Sequence, residues 1–182
     1  MAKESFGMVP NLIKVVNEHN PAVAQIYIAG MEVLEEGVLS EAERNIALLA
    51  ISEYNNCHYC VRIHAGFAHD AGLHPSDIEA VNQGGLPGSE SLRSVVQAAR
   101  LLMEREGELT TEDYEVLTKA GITPTHLYEL SALIALKTMS NYINHVSQTE
   151  VDPEVSDLFP IMDEFNKTEW PEAPRSSAFE AV

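Results

Sequence analysis

The stretch NNCHYCVRIHAGFAH, residues 55–69, holds both cysteines of the chain, Cys57 and Cys60, with histidines at 58, 64 and 69. It does not alternate apolar and polar residues as a half-buried strand would. Two asparagines break the preceding segment, and the small residues that follow suit a helix. At roughly 100° per residue, Cys57, Cys60 and His64 fall within about a 60° arc of that helix. His58 and Arg62 point elsewhere. Ala68 and Ala71 continue the shared face, with Phe67 beside it. Both cysteines lie in the first turn, where unpaired N–H groups and the positive dipole end favour a thiolate.

Three readings follow from the residues alone. A CxxC pair at a helix start is a redox couple in which one sulfur resolves a sulfenic acid formed on the other, with His64 able to move a proton. Cys57, Cys60 and His64 are also three potential metal ligands, although a closed site would need a fourth from elsewhere. The third reading is two buried cysteines packed as small apolar groups. A thioredoxin-like protein is excluded, because its βαβ pattern is missing.

The segments on either side read as helices. PNLIKVVNEH is a short amphipathic piece after Pro10. PAVAQIYIAGMEVLEEG starts on a proline suited to a first helical turn and stops at Gly37. Ser40 and Glu43 form a capping box ahead of IALLAI, in a helix expected to reach about Glu53. Asn55 and Asn56 then break the chain and offer a cap for the CHYC helix, which runs to about Gly72. Ser76 and Glu79 make a second expected capping box, and NQGGLPGSE reads as a loop. Helices follow over LRSVVQAARLLMERE, TTEDYEVLTKAG and TPTHLYELSALIALKTMSNYINHV, the last the longest and most apolar. A short segment around VSDLFPIMDEF and an extended tail close the chain. The expected fold is a single-domain, all-α bundle over residues 1–153, with residues 154–182 as a terminal helical segment and tail.

Composition narrows the function classes. The chain has 182 residues, is 45% hydrophobic and 21% charged, and carries a formal net charge of −17. Such a surface repels nucleic acid and anionic lipid, so neither is an expected partner. The N-terminus lacks a basic cluster followed by an apolar run, and no stretch approaches the roughly 20 apolar residues that span a bilayer. A cytoplasmic location is expected, where a lone CxxC points to catalysis, redox sensing or metal binding, not a structural staple.

The segment LSEAERNIALLAISEYNNCHYCVRIHAGFAHDAGL resembles the carboxymuconolactone decarboxylase-like superfamily, in particular its alkyl hydroperoxidase D-like, peroxidase-related branch. FGMVPNL followed by PAVAQIY, and the late SNYINHV, are similar to that branch too. The resemblance implies an all-helical fold assembled as trimers or hexamers. It implies a peroxidase, reducing hydroperoxides with electrons from a lipoyl-bearing or thioredoxin-like dithiol partner and needing no bound cofactor or metal. It also implies that Cys57 and Cys60 are the redox pair and His64 the relay histidine. Alternatives are a decarboxylase or isomerase of the family type, and a non-catalytic redox-sensing or metal-binding oligomer. Relatives carry a relay glutamate twelve residues before the first cysteine, where this chain has Asn45. An amide cannot take up a proton, so Glu41 and Glu53 are candidate substitutes. Tyr59 stands where some relatives have a histidine. His145, with Asn141 one turn before it, is a candidate for lining the same pocket, and equally for a helix-end or subunit contact.

Overall fold

Local sequence sets the helix ends of the computed structural model, which describes residues 9–153. In chain order the helices are α1 (Asn11–His19), α2 (Pro21–Leu34), α3 (Glu41–Tyr54), α4 (His58–Asp70), α5 (Pro75–Asn82), α6 (Glu90–Glu104), α7 (Thr111–Lys119) and α8 (Pro124–Ser147). No strand occurs among the described residues, so the all-α expectation holds. The expected terminal segment at 154–182 lies outside the described residues.

Ser40 caps α3 as expected. Its Oγ accepts from the Glu43 N–H at 3.3 Å, and the Glu43 carboxylate accepts from the Ser40 N–H at 2.9 Å. The expected box at Ser76 and Glu79 is corrected. Helix α5 starts two residues earlier, with His74 as its cap, Nδ1 accepting from the Ser76 N–H at 3.3 Å. Pro75 explains the shift: its φ is already helical and the N–H it lacks would have no partner there. Gly37 does more than end a helix. A Cβ there would collide with the Glu129 carboxylate, which accepts from the Val38 and Leu39 N–H groups and ties this turn to α8.

Helix α3 is the centre of the bundle. Every residue from Ile46 to Ser52 is buried, which requires neighbours on all sides, and α4, α5, α6 and α8 supply them. A second, smaller apolar cluster joins Leu12 and Val16 of α1 and Ala24 of α2 to Cys57, Tyr59, Cys60 and Ile63. Burying a leucine or valine of this kind stabilises by about 1.5–3 kcal/mol, enough to hold the short α1 over the first turn of α4. No described helix is long and apolar enough to cross a membrane.

Candidate active site

The turn between α3 and α4 places the thiols. Asn55 is the C-cap of α3, and Asn56 adopts a left-handed φ of 52°, which asparagine tolerates better than most side chains. The chain then reverses, and the Cys57 N–H donates to Ser52 O at 2.9 Å. The asparagines therefore end one helix but do not cap the next; Cys57 itself is the N-cap of α4, with no side-chain capping bond. Asn55 is used elsewhere. Its Nδ2 donates to Asn141 Oδ1 at 2.9 Å and to Thr138 Oγ1 at 3.2 Å, fixing the turn against α8.

Cys57, Cys60 and His64 come together as their spacing predicts, and deeply: they are 0%, 1% and 2% exposed. Both cysteines are free thiols, hydrogen-bonded to one another. Asn144 Nδ2 donates to Cys57 Sγ at 3.5 Å. The two sulfurs are not equivalent. The hydrogen bond from Cys57 holds the Cys60 thiol down at about 6 against the opposing effect of burial, helped by the Lys137 charge and the Asn141 amide. Asn141 Nδ2 has no other acceptor among the described residues. Cys57 is pushed up, by its bond to Cys60, by burial and by the Cys60 charge, so it keeps its proton. His64 is driven well below the usual imidazole range by burial and then by Lys137, and is neutral.

Lys137 is the residue that sequence reasoning missed. It is 2% exposed, donates to Tyr27 Oη at 3.5 Å and lies 5.8 Å from the centre of that ring. Burial pulls its ammonium down, but the negative charge of Cys60 and the contact with Tyr27 outweigh this and raise it. A signal was present in ALIALKTMSNYI, where Lys137 is the single charge in an apolar run, one turn before Asn141.

Tyr59 and Asp152 form the outer wall. Tyr59 Oη donates to Asp152 Oδ2 at 2.6 Å and accepts from the Leu12 N–H at 3.1 Å. Asp152 Oδ1 accepts from the Asn11 N–H at 2.8 Å. The segment after α8 is thereby strapped to the start of α1, across the CxxC turn.

Two spaces meet at His64. A cavity of about 20 Å³ is lined by Cys60, His64, Lys137, Tyr27, Tyr59 and Phe67, among others. It has room for little more than a water-sized group. A cleft of about 210 Å³ on the other side is lined by Glu35, Glu41, Arg44, Asn45, His64, Phe67 and Asp70, with Met31 and Leu48. His64 and Phe67 line both, their rings in an edge contact 5.9 Å apart. His64 Nδ1 has no partner among the described residues. Asn45 is beside His64 as the spacing implies, and Glu41 shares that cleft. Glu53 is not available as a substitute: it pairs with Arg100 at 3.1 Å. His145 is exposed and stacked on Tyr142 near the end of α8, and it lines neither of these spaces. His58 and His69 are exposed as well. Among the described residues no group of three or more His, Cys, Asp and Glu side chains is placed to hold a metal ion, and the Cys57, Cys60 and His64 set is no exception.

Residues 21–101 match the model of the carboxymuconolactone decarboxylase family. The fold is similar to that of a peroxidase-related protein from Silicibacter sp. TM1040, with 21% identity, a TM-score of 0.72, and 85% of this chain and 82% of that one covered. It is also similar to an alkylhydroperoxidase AhpD core protein from Ralstonia eutropha JMP134, with 22% identity, a TM-score of 0.74, and 84% and 82% covered. A debrominase solved with 2,3,4-tribromopyrrole shares the fold at 17% identity and a TM-score of 0.66, with 89% and 86% covered. None of the curated proteins matches the sequence. The resemblance read from the CxxC segment is borne out at the level of family and fold.

Proposed function

We infer that this chain, whose residues 21–101 match the carboxymuconolactone decarboxylase family model, is a thiol-dependent peroxidase that cycles Cys57 and Cys60 between dithiol and disulfide. The observation that carries this reading is the asymmetry of the pair: Cys60 lines the small cavity with His64 and Lys137, while Cys57 does not line it and donates to Cys60, lowering its thiol. A pair packed only as small apolar groups would have no such division, and it is the division that a two-cysteine peroxidase needs.

Cys60, which also lines the small cavity, is the attacking sulfur. Its thiolate takes one peroxide oxygen, the O–O bond breaks, and a sulfenic acid forms on Cys60. The Cys57 sulfur then displaces the hydroxyl, whose departure with the Cys57 proton yields water and the disulfide. A dithiol of the lipoyl or thioredoxin-like class restores both thiols by exchange. His64 touches both the cavity and the cleft. As a neutral imidazole it can pass protons between the buried sulfurs and the acidic wall of the cleft, with Glu41 the carboxylate nearest in sequence to Asn45 on its helix face. The small cavity accepts the reacting end of a hydroperoxide, so hydrogen peroxide or an unbranched hydroperoxide is the expected substrate class.

Mass spectrometry after stoichiometric peroxide tests the cycle. One intramolecular disulfide should form and be reduced again by dihydrolipoamide. Cys60→Ser should abolish peroxide consumption. Cys57→Ser should stop at a sulfenic acid that dimedone traps. Full turnover in both single variants would sink the reading.

A further inference from the structure

A lysine is almost never fully buried without a partner. Lys137 is 2% exposed, yet among the described residues its acceptor is the phenol oxygen of Tyr27, and none of the described ion pairs includes it. An ammonium sealed from water needs a counter-charge. Of the described titratable groups facing it, Tyr59 and His64 of α4 are neutral at pH 7, and Tyr27 of α2 offers a phenol oxygen. The Asp152 carboxylate is engaged by Tyr59 and the Asn11 N–H. Cys60, which lines the same cavity as Lys137, is left to supply the charge.

We propose that Lys137 is the counter-ion of the Cys60 thiolate and the acid that protonates the oxygen expelled from the peroxide. This deepens the peroxidase reading and rests on it. When the Cys60 thiolate attacks, the electron pair of the O–O bond goes to the leaving oxygen, and the sulfur is oxidised as the peroxide is reduced. That attack also removes the charge that Lys137 was paired with. A buried ammonium with no anion is a strong acid, and it stands in the cavity where the new alkoxide forms. Proton transfer gives alcohol, sulfenic acid and a neutral amine. Disulfide formation then releases water and leaves the amine neutral. The external dithiol brings two hydrogens: one returns to Cys57 as its thiol proton, and the other to Lys137 as Cys60 leaves as thiolate. The proton needed for the first half of the cycle is stored on Lys137 during the second, inside a site with no wide opening to water.

Iodoacetamide separates the two roles, because iodide leaves without a proton. In Lys137→Met the pH midpoint of Cys60 alkylation should move from about 6 towards the ordinary thiol value of 9.0. The rate at pH 7 should then drop, by at most the roughly 90-fold ratio of thiolate fractions that a midpoint of 9.0 would give, because the Cys57 hydrogen bond remains. At pH 9.5 its alkylation should recover to within about threefold of wild type, while peroxide-driven disulfide formation stays at least tenfold slow. Lys137→Arg keeps the charge but cannot release a proton, so it should retain the low alkylation midpoint and still lose the peroxide step. A Met variant with wild-type midpoint and wild-type peroxide rate would overturn the proposal. Should that variant not fold, the wild-type protein decides. At pH 8, with thiolate absorbance at 240 nm present beforehand, stoichiometric peroxide should draw close to no protons from a weakly buffered solution. Uptake of one proton per disulfide overturns the stored-proton cycle. A wild type with a low alkylation midpoint that forms no disulfide would instead remove the peroxidase reading, and the acid role with it, while the alkylation profile upholds the ion pair.

Discussion

A neutral His64 can pass a proton but has none to spare at neutral pH, and this shapes the chemistry around it. Its imidazole is held low by burial and by Lys137, so the positive charge of the pocket is on the lysine. The same arrangement makes stability depend on pH. Cys60 has a folded value of about 6 against an ordinary 9.0. Between those values the unfolded chain still holds a proton that the folded chain has released, so stability rises with pH. Above 9.0 the trend turns down, because Cys57 keeps its proton in the fold while the unfolded thiol loses it. Urea midpoints of the reduced protein should therefore increase from pH 6 to 8.5. A reduced protein that loses stability over that range would contradict the assignment of the thiolate. At this scale Cys57, Cys60 and His64 were legible from spacing, because one helix carries all three. Lys137 comes from α8, and nothing in the local sequence says which way α8 faces.

The strap across α1 belongs to the scale of elements. Helix α1 has nine residues, too few to be stable alone, and it stays in place through its apolar face and the Tyr59–Asp152 bonds. Tyr59→Phe removes the hydroxyl that bridges Asp152 and the Leu12 N–H. The expected cost is about 1–3 kcal/mol, the penalty for leaving a buried acceptor and donor unpaired. Because α1 covers the thiols, the same variant should react faster with a bulky disulfide reagent such as DTNB. Lower stability with unchanged thiol reactivity would show that α1 is not the cover. The capping box at Ser40 and the proline start of α2 could be read directly, since each depends on residues within one turn. The cap of α5 was misplaced by two residues because Pro75 and Ser76 both favour helix starts, and the backbone took the earlier one.

For the whole molecule, the apolar surface left over is informative. Ile26 and Val33 are one i,i+7 stripe on α2, and Tyr128, Tyr142 and Val146 run along α8; all are more than half exposed, Val146 at 88%. We propose that these stripes pack against further copies of the chain, as the expected trimer or hexamer requires. Tyr142→Glu combined with Val146→Glu should reduce the mass measured by light scattering towards the 20.0 kDa of one chain. A wild type that is already monomeric at high concentration would end that proposal.

The sequence by itself determined the class of the fold and the chemistry of one helix. Periodicity, prolines and capping residues act over a few positions, so the eight helices of the described residues and a CxxC at a helix start with His64 below it follow from neighbours along the chain. Tertiary structure alone decided which sulfur carries the charge. That depends first on the hydrogen bond from Cys57, and then on a lysine 77 residues after Cys60 and the Asn141 amide of the same distant helix, inside a space too dry to screen them. It also decided the fate of the Asn45 position, by setting it in a cleft on the far side of His64 from the thiols, with Glu41 close by.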